Sequence, residues 1–532
     1  MSFHGLKRTR MDLLVNELAF MTEAETLAEL GYALTLAEEN LRSLGIFRAC
    51  TLTLDAIPEA RVTESRIPVA LQVDVREARP LQYSFHVSTS PHTRKITLEG
   101  LLRLVNLFGR AEALKVSVSQ DATRGVGQGV HAEYSAPRFW GRDLLLRSGV
   151  DLTRASYRDE ASYVLMRGGI WSALPVGPGT LKAEASLLNL ADPTRTASRH
   201  VVKQLGDHTK VGVSYVWSAI WGADSDENDD EEEGTTTTGP GPTLGLRSLS
   251  EVAGPPGLGG AMQFVKQTVE ASLRIPVRWW LGSEVRGSRE RESRLDATTT
   301  TSPPSSSSSS STPSGVAWRL SRFTVAAKAG ALVPTFSAWG RPTPITERLY
   351  LGGTGTLRGF IPRRAGPAER RRDQTDDEVT TSSTSTTTAA TSSWRRWLGL
   401  GGDEPERTPT GRRSGYTHDA LGGDVAWCAH VGWSAPFWVE GGGVAPVGLH
   451  VFADAGSAAL WSRGRETGVW SRLQSGLTAQ TRVAAGIGLV IPTGKLGSME
   501  INVTRKIRRV VGDRGGDWTV TAGFSSGLDG FA

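Results

Sequence analysis

The sequence predicts a mainly β protein in which an antiparallel sheet follows a small domain of mixed helices and strands. From Pro80 onward, apolar residues alternate with polar ones, which is the period of a strand with one face in an apolar environment. Ser, Thr, Gly and Lys fill the polar face, and the chain carries sixteen tryptophans against eight tyrosines. Tryptophan is enriched in the aromatic belts at membrane surfaces. The pattern therefore predicts a membrane-spanning barrel or a soluble sandwich with apolar inner faces.

Residues 1–79 differ from the rest because their leucines recur at helical spacing. The order strand, helix, helix, strand, strand is predicted for Phe3–Leu6, Asp12–Phe20, Ala24–Leu44, Phe47–Ala56 and Val69–Val75.

Residues 80–532 are predicted to form the sheet. The clearest alternating segments are Tyr83–Ser88, Leu114–Ser119, Lys210–Trp217, Phe323–Leu332, Val425–Trp433, Leu449–Ala455, Val483–Val490, Ser498–Thr504 and Trp518–Leu528. Tryptophans near predicted strand ends, where an aromatic girdle belongs, are Trp171, Trp217, Trp221, Trp279, Trp280 and Trp433.

Three insertions interrupt this rhythm, near residues 223–260, 284–315 and 363–415. They are acidic, serine-rich or mixed Arg/Thr/Ser tracts that cannot bury enough apolar area to offset their ordering entropy, so we expect disordered loops. Without them, roughly 330 residues remain from Pro80, or about 20 per strand and turn for a barrel of 16 strands.

Composition disfavours several functional classes. The net charge of +5 comes from basic residues that are scattered along the chain, which gives little support to nucleic-acid binding. Cys50 and Cys428 lie far apart and have no partners at metal-ligand spacing, so neither a disulfide framework nor a metal site is expected. Cys428 and His430 share one face of a predicted strand but have no visible third partner. We expect no enzyme activity and no cofactor.

Two glycine-rich segments fail as phosphate-binding motifs. Gly353–Arg358 has arginine where a dinucleotide fingerprint requires its third glycine. Gly488–Leu496 has five residues between its glycines and a leucine after its lysine, which departs from the P-loop pattern.

The segment Met1–Arg10 has no apolar core of the length that a secretory signal needs, so export through a secretory pathway is not expected. No apolar run of about 18 or more residues occurs, so a transmembrane helix is not expected either. A chain of this kind crosses a membrane only as a closed barrel, which satisfies its backbone polar groups internally.

A glycine-rich stretch at Glu347–Phe360 presents one arginine, Arg358, between residues with small side chains. Three blocks follow it in the chain, Asp419–Asp424, Phe452–Gly456 and Gly486–Leu489. In type and order these segments resemble the superfamily of outer-membrane proteins that join POTRA domains to a transmembrane β-barrel. Within it, they are most similar to the barrel subunits of the mitochondrial sorting and assembly machinery.

The resemblance extends to the amino-terminal domain, where Gly5–Thr9 and Leu41–Phe47 are similar to a single POTRA domain. It implies a barrel of 16 strands in the mitochondrial outer membrane, with the POTRA-like domain toward the intermembrane space. It also implies a function, the folding and insertion of β-barrel precursor proteins. The partners implied are those precursors, accessory subunits on the membrane surface and the lipid bilayer, with no nucleic acid.

In this superfamily the arginine loop lies inside the barrel. The resemblance therefore implies that Arg358, Gly359 and Phe360 form a lumen loop and that Arg358 contacts Asp454.

A lateral gate is expected where the first strand of the barrel meets the last, because a short or glycine-weakened seam can open. An opened first strand would template the last strand of a client protein. The candidate gate residues are Tyr83, Phe85, Val87, Val520, Gly523, Phe524 and Gly527.

Two alternatives remain open at the level of sequence. One keeps the barrel but makes it a polypeptide-translocating or solute-conducting barrel of a plastid or bacterial envelope. The other is a soluble β-rich binding protein.

Overall fold

The computed structural model describes most of the chain outside the three insertions. The described residues are 1–24, 26–56, 69–90, 95–121, 127–139, 144–222, 242–254, 260–276, 321–335, 342–372, 417–436, 447–461, 477–478, 480–492, 498–510, 513 and 516–525.

The amino-terminal module has the predicted order of elements. Its elements are β1 Ser2–His4, α1 Met11–Glu17, a 3-10 helix Ala19–Glu23, α2 Leu27–Ser43, β2 Phe47–Ala56 and β3 Val69–Glu77. Strand β3 lies in the middle of the sheet, parallel to β1 and antiparallel to β2. The predicted order strand, helix, helix, strand, strand is confirmed.

Helix α2 begins and ends where its sequence requires. Thr26 and Glu29 form a reciprocal capping box at its start. Ala37 and Leu41 lie on its buried face and pack against the sheet, whose central residue Val73 is also fully buried. Gly45 then takes φ of +64°, a conformation that favours glycine and turns the chain into β2.

The module is packed against one end of the barrel. The Arg138 guanidinium donates to both carboxylate oxygens of Glu17, which is buried at the end of α1. Asn106 donates from its amide to the Thr9 hydroxyl at 2.8 Å. Val105 belongs to the same buried apolar cluster as the core of the module. The two parts of the chain therefore share a core at this end, which we call the module end.

Sixteen described strands form one antiparallel sheet, in which each strand is paired with the next of the sixteen along the chain. They are β4 Leu81–Ser90, β5 Lys95–Val105, β6 Ala113–Asp121, β7 Gln128–Ala136, β8 Leu146–Ser156, β9 Val164–Val176, β10 Gly179–Ala191, β11 Gly206–Trp221, β12 Thr243–Ala253, β13 Phe264–Pro276, β14 Arg322–Pro334, β17 Val425–Pro436, β18 Gly448–Ala459, β19 Arg482–Pro492, β20 Ser498–Arg508 and β21 Trp518–Ser525. Strands β15 Ala368–Arg370 and β16 His418–Ala420 pair separately, and short helices α3 Arg158–Ala161 and α4 Arg199–Val202 lie between strands.

The sheet curls until β21 comes beside β4, so that it encloses a lumen. Large apolar side chains on the outer face are exposed, among them Phe85 (81%), Ile170 (61%) and Ile487 (55%). Inward-facing polar residues such as Asn502 and Thr504 are fully buried. An apolar exterior around a polar interior is the arrangement of a membrane barrel. The prediction of a 16-stranded barrel is confirmed, because the described strands form one curled sheet and not two stacked ones.

The described residues contain no helix long and apolar enough to cross a membrane.

The prediction that tryptophans near strand ends belong to an outer aromatic girdle was right for some positions and wrong for one. Trp217 and Trp433 lie near the module end of their strands on the outer face, and the Trp217 ring lies 6.2 Å from that of Trp221. Trp171 instead faces the lumen, where its ring stacks on His131 with centroids 6.1 Å apart. Its neighbours in the wall are charged, so it belongs to the polar interior. Trp279 and Trp280 lie outside the described residues.

Two predicted insertion boundaries were also wrong. Residues 243–253, inside the region 223–260, form β12, because alternating Leu244 and Leu246 continue the strand pattern after the acidic and Gly/Pro tract. Residues 363–372, at the start of the region 363–415, are packed, and Arg371 is buried in an ion pair with Asp419. Residues 223–241, 284–315 and 373–415 lie outside the described residues.

Glu77 organises the loop that leads from β1 to α1. One of its carboxylate oxygens accepts hydrogen bonds from the backbone amides of Lys7, Arg8 and Thr9 at 2.9 to 3.1 Å, and from the Thr9 hydroxyl at 2.7 Å. Partial burial acts to raise the pKa of Glu77, but these hydrogen bonds outweigh it and lower the pKa from 4.5 to about 2. Because the folded pKa is depressed, the stabilisation is complete above the ordinary carboxyl range and is lost as pH falls toward about 2.

We therefore expect Glu77→Gln to loosen this loop at neutral pH by about 1 to 2 kcal/mol, since the amide oxygen remains an acceptor without the charge. Faster hydrogen–deuterium exchange at residues 7–9 measures the change. Glu39→Gln, on an exposed face of α2, is the matched control and is expected to leave exchange there unchanged. Equal exchange in Glu77→Gln and the wild-type chain would contradict this role.

Candidate functional site

The connection from β14 to β17 folds back into the lumen. Leu349 pairs with Gly423 in an isolated β-bridge, and Gly353 with Leu357 in another, so the chain forms a hairpin-like tip. Gly352 and Gly353 have φ of +110° and +91°, which favour glycine, and a side chain on Gly352 would meet the carbonyl of Ile361. These glycines permit the tight turn that carries Arg358 inward.

At the tip, Arg358 makes contacts with several strands of the wall. Its Nη1 lies 3.2 Å from Oδ1 of Asp454, and its backbone amide donates to Oδ2 of the same carboxylate at 3.0 Å. Nη1 also lies 3.0 Å from Nδ1 of His430, and Nη2 lies 3.6 Å from a carboxylate oxygen of Glu500. The guanidinium carbon stands 4.6 Å above the ring centre of Phe452. The contact between Arg358 and Asp454 that the resemblance implied is therefore present.

The free energy that the Arg358–Asp454 pair contributes depends on its burial. Arg358 is 7% exposed and Asp454 is 1% exposed. A buried charge is tolerated when a partner and hydrogen bonds replace its hydration. Removing one member of such a pair leaves the other uncompensated, which typically costs about 3 to 5 kcal/mol. The pair therefore holds the tip at one place on the wall.

The two residues after Arg358 complete the contact. The Phe360 ring lies in a buried apolar cluster with Leu357, and Nζ of Lys506 stands 5.6 Å from its centre. The carbonyl of Gly359 accepts a hydrogen bond from the hydroxyl of Thr519 at 3.3 Å. Thr519 belongs to β21, so the tip touches the last strand of the barrel directly.

The incoming arm of the loop is fixed near α4. Arg348 donates from Nε to the Thr343 hydroxyl at 2.9 Å and from Nη1 to the carbonyl of Leu421 at 3.2 Å. Burial, together with the adjacent Arg348 guanidinium, lowers the pKa of His200. A neutral His200 ring can accept from Nη2 of Arg348, which lies 3.0 Å from its Nε2.

The outgoing arm is held by an arginine between two aromatic rings. The guanidinium carbon of Arg363 lies 3.7 Å from the ring centre of Tyr350 and 4.4 Å from that of Tyr157.

Strands β4 and β21 form a seam in the barrel. Their Cα atoms come within 8 Å of each other, yet no hydrogen-bonded register joins them within the described part of the two strands. On the outer face, Tyr83 is 75% exposed and Phe85 81%, and across the seam Val520 is 73% exposed. Gly523 pairs with Glu500 of β20.

Other candidate gate residues fall outside this description. Gly527 lies beyond the described residues, and the side chains of Val87 and Phe524 are likewise not described.

Two residues of the tip site, His430 and Glu500, were not predicted. His430 pairs in register with Asp454 across β17 and β18, and its Nδ1 lies 2.7 Å from the Asp454 carboxylate. Its position two residues after Cys428 placed it on the lumen face, but the register of two strands separated by a long loop was needed to bring it to Asp454. Within the described residues, no group of three or more His, Cys, Asp or Glu side chains could hold a metal ion.

Comparisons with known proteins agree with this architecture. A family model described as the Omp85 superfamily domain matches residues 240–526. The chain is 24% identical to the sorting and assembly machinery component 50 homolog of Mus musculus over 377 residues, which are 69% of this chain and 65% of the mouse protein. It is 23% identical to homolog A of Xenopus laevis over 522 residues, 96% of this chain and 86% of that protein. Its match to the mouse protein thus spans slightly less than two thirds of that relative.

Among solved structures, the chain resembles BamA from Haemophilus ducreyi lacking POTRA domains 1–3. The TM-score is 0.61 at 14% identity, and the match covers 98% of this chain and 83% of that one. This likeness supports the fold.

Gly359 offers a test of the seating of the tip. Its φ is +82°, and a Cβ there would lie 2.7 Å from Cγ2 of Thr504 in the wall. We expect Gly359→Ala to displace the tip, at a cost of about 1 to 2 kcal/mol from the backbone conformation alone. Lower thermal stability of the purified barrel and faster proteolysis of the loop would measure this.

The control is Gly366→Ala in the same loop, where the added Cβ would meet only the Ala458 methyl at an ordinary 3.5 Å. The seating described here is wrong if the two variants melt and are cleaved alike.

Proposed function

The chain belongs to the Omp85 superfamily, and on that premise we propose that it folds and inserts β-barrel precursor proteins into the mitochondrial outer membrane. The similarity to sorting and assembly machinery component 50 homologs supports β-barrel precursors as the clients and the mitochondrial outer membrane as the place of insertion. The seam between β4 and β21 is the observation that carries the proposal. There two strands lie side by side with no hydrogen-bonded register between their described parts, and a seam of this kind is what a strand-templating mechanism requires.

The proposed mechanism is strand pairing, without bond chemistry. A precursor arrives with its last strand unpaired, and each unpaired backbone group costs several kcal/mol in lipid. Pairing with the edge of β4 satisfies those groups before the strand leaves water. Later strands of the client then add to the first until its own barrel closes and releases the seam.

The lumen loop would keep one side of the seam in place while the other side opens. Thr519 of β21 donates to the loop carbonyl of Gly359, and the loop is held to β18 by Arg358 and Asp454. We infer that the last strand is thereby tied to the wall through the loop. In the proposed mechanism, β4 is the strand that moves and pairs with the client.

We further infer that residues 1–79 act as a POTRA-like domain facing the intermembrane space and that residues 80–532 are the barrel. Accessory subunits of the sorting and assembly machinery on the membrane surface are the expected stable partners, with lipid around the outer face and no nucleic acid. A translocating or solute-conducting barrel of a plastid or bacterial envelope is less well supported, because the loop occupies the lumen.

Arg358→Ala is expected to impair assembly of client barrels, because the tip and with it β21 lose their fixed position. The chain itself should still insert, since the ladder of backbone hydrogen bonds is untouched. Import of a radiolabelled barrel precursor into isolated mitochondria, followed by native electrophoresis, measures assembly. Arg195→Ala, at an exposed position between β10 and α4, is the control that should assemble clients normally. Normal client assembly with Arg358→Ala refutes the role of the loop.

Direct pairing predicts crosslinks. A cysteine placed within Gln82–Ser88 should form a disulfide with a cysteine in the last strand of a client arrested during import. A cysteine at Leu187 on the outer face of β10, a strand paired on both sides, should form none. Clients that assemble without any crosslink to β4 would count against the lateral gate.

A further inference from the structure

One positive charge faces outward on β20, one strand from the seam. Arg505 is exposed and lies in the same outward row as Val503, whose partner across the ladder is the exposed Ile487. On the other side Arg505 pairs with Trp518 of β21, which is 63% exposed. Because β20 runs away from the module end and β21 returns toward it, Arg505 and Trp518 lie near the opposite end of the barrel, which we call the far end. A cation therefore stands on the lipid-facing surface beside the last strand.

This cation differs from another outward-facing arginine near the far end. Arg154 of β8 has an acidic partner, Asp192, whose carboxylate lies 4.0 Å from its Nη2. Within the described residues, no carboxylate lies at ion-pair distance from Arg505. Asp517, the described acidic residue closest to it along β21, pairs instead with Arg509 at 2.8 Å. A charge on the lipid face is unfavourable unless it reaches the interface or a partner there, so Arg505 needs a partner outside the chain.

A bulge brings a second arginine to the same place. The register between β19 and β20 shifts at Val483, which pairs with Arg508, so that Ile507 is an extra residue in β20. Arg508 is exposed, and its Nη2 donates to the carbonyl of Thr478 at 3.2 Å. A guanidinium has five N–H donors, so most of its donors remain for another acceptor. Three residues of a strand span about 10 Å, a distance that the side chains of Arg505 and Arg508 can close around one small anion.

The groups at this site indicate the kind of ligand. The planar fork of a guanidinium fits the oxygens of a phosphate group. Tryptophan rings at a membrane surface lie at the level of the lipid headgroups, and the guanidinium carbon of Arg505 lies 5.7 Å from the ring centre of Trp518. Val520, the next outward residue of β21, is 73% exposed and continues an apolar surface toward the middle of the bilayer. A molecule with an anionic head and apolar chains complements both parts of this surface.

We propose that Arg505, Arg508 and Trp518 bind the phosphate headgroup of an anionic phospholipid, whose acyl chains lie along the outer face of β21 beside the seam. The site lies on the outer face of the wall and shares no residue with the lumen loop. The bound lipid holds the far end of the last hairpin at the surface of the bilayer. The stability of the folded chain therefore depends on anionic lipid, whether or not a client is present.

The test measures lipid binding to the purified full chain in dodecyl maltoside micelles that contain dioleoylphosphatidylglycerol or, at equal concentration, dioleoylphosphatidylcholine. Native mass spectrometry counts the lipids that the protein retains, and thermal unfolding is followed in the same samples. The wild-type chain is expected to retain phosphatidylglycerol in preference and to melt at a higher temperature with it. Arg505→Gln should weaken the retention of phosphatidylglycerol about tenfold and abolish this difference in melting temperature, because it removes charge-assisted hydrogen bonds to the phosphate.

Arg154→Gln is the matched control, since it removes an outward-facing arginine near the same end of the barrel, and it should retain phosphatidylglycerol like the wild type. If Arg505 only stabilised the wall, Arg505→Gln would lower the melting temperature equally in both lipids and leave lipid retention unchanged, which would overturn the proposal. Equal loss of retention in Arg154→Gln would overturn it too.

The same samples distinguish a lipid from other anions. Inorganic phosphate or an acidic peptide, added in excess, should not displace phosphatidylglycerol, because neither has acyl chains to cover the apolar surface of β21. Displacement by either one would assign the site to a different ligand and overturn the proposal. If Arg505→Gln fails to fold, Arg508→Gln decides, with the same loss of retention expected.

Discussion

The structure depends on one buried ion pair in the lumen. Arg358 and Asp454 join a loop to the wall at a place where neither charge reaches bulk water. A long loop has many conformations, and its ordering entropy must be offset by contacts that are available in only one of them. A charged, hydrogen-bonded pair meets that requirement because a displaced loop would leave the buried Asp454 carboxylate with only the His430 ring beside it. The glycines around Arg358 serve the same end, since they let the backbone approach β20 and β21.

The proposed function places two opposing requirements on the barrel. In lipid, every backbone polar group needs a partner, which favours complete closure. A strand-templating function instead needs an edge that can open. Within the described residues, hydrogen-bonded pairing is missing at the seam between β4 and β21, while every other neighbouring pair of strands in the barrel is joined by a register, with one irregularity between β19 and β20 at Val483–Ala484. The loop stabilises the side of the seam formed by β21 from within, and the amino-terminal module packs against the β5 and β7 ends on the other side.

Much of the fold could be predicted from the sequence, and the features that were not predicted have physical causes. The alternation in β17, β18 and β20 was clear because their outer residues are apolar over Val425–Trp433, Leu449–Ala455 and Met499–Val503. β9 is not among the clearest alternating segments because Gly168 and Gly169 interrupt its pattern, and a side chain on Gly169 would crowd Ser186 of β10. Glycine is required at such positions by residues that lie close to it on the neighbouring strand. A single sequence does not show which residues those are.

The residues of the candidate site also fall into two groups, those that the sequence predicted and those that it did not. Arg358 and Asp454 could be named because they lie in segments that resemble a known superfamily. His430 and Glu500 required the register of β17 to β20. Contacts between segments far apart in the chain are determined by closure of the barrel, which alternation predicts only as an architecture.

The most direct test of the central claim is a double-mutant cycle on the unfolding free energy of the purified barrel, with Arg358→Ala, Asp454→Ala and the double variant. If the pair seats the loop, each single change costs about 3 to 5 kcal/mol and the double change costs little more than either. Additive costs, or single changes without effect, would contradict the account.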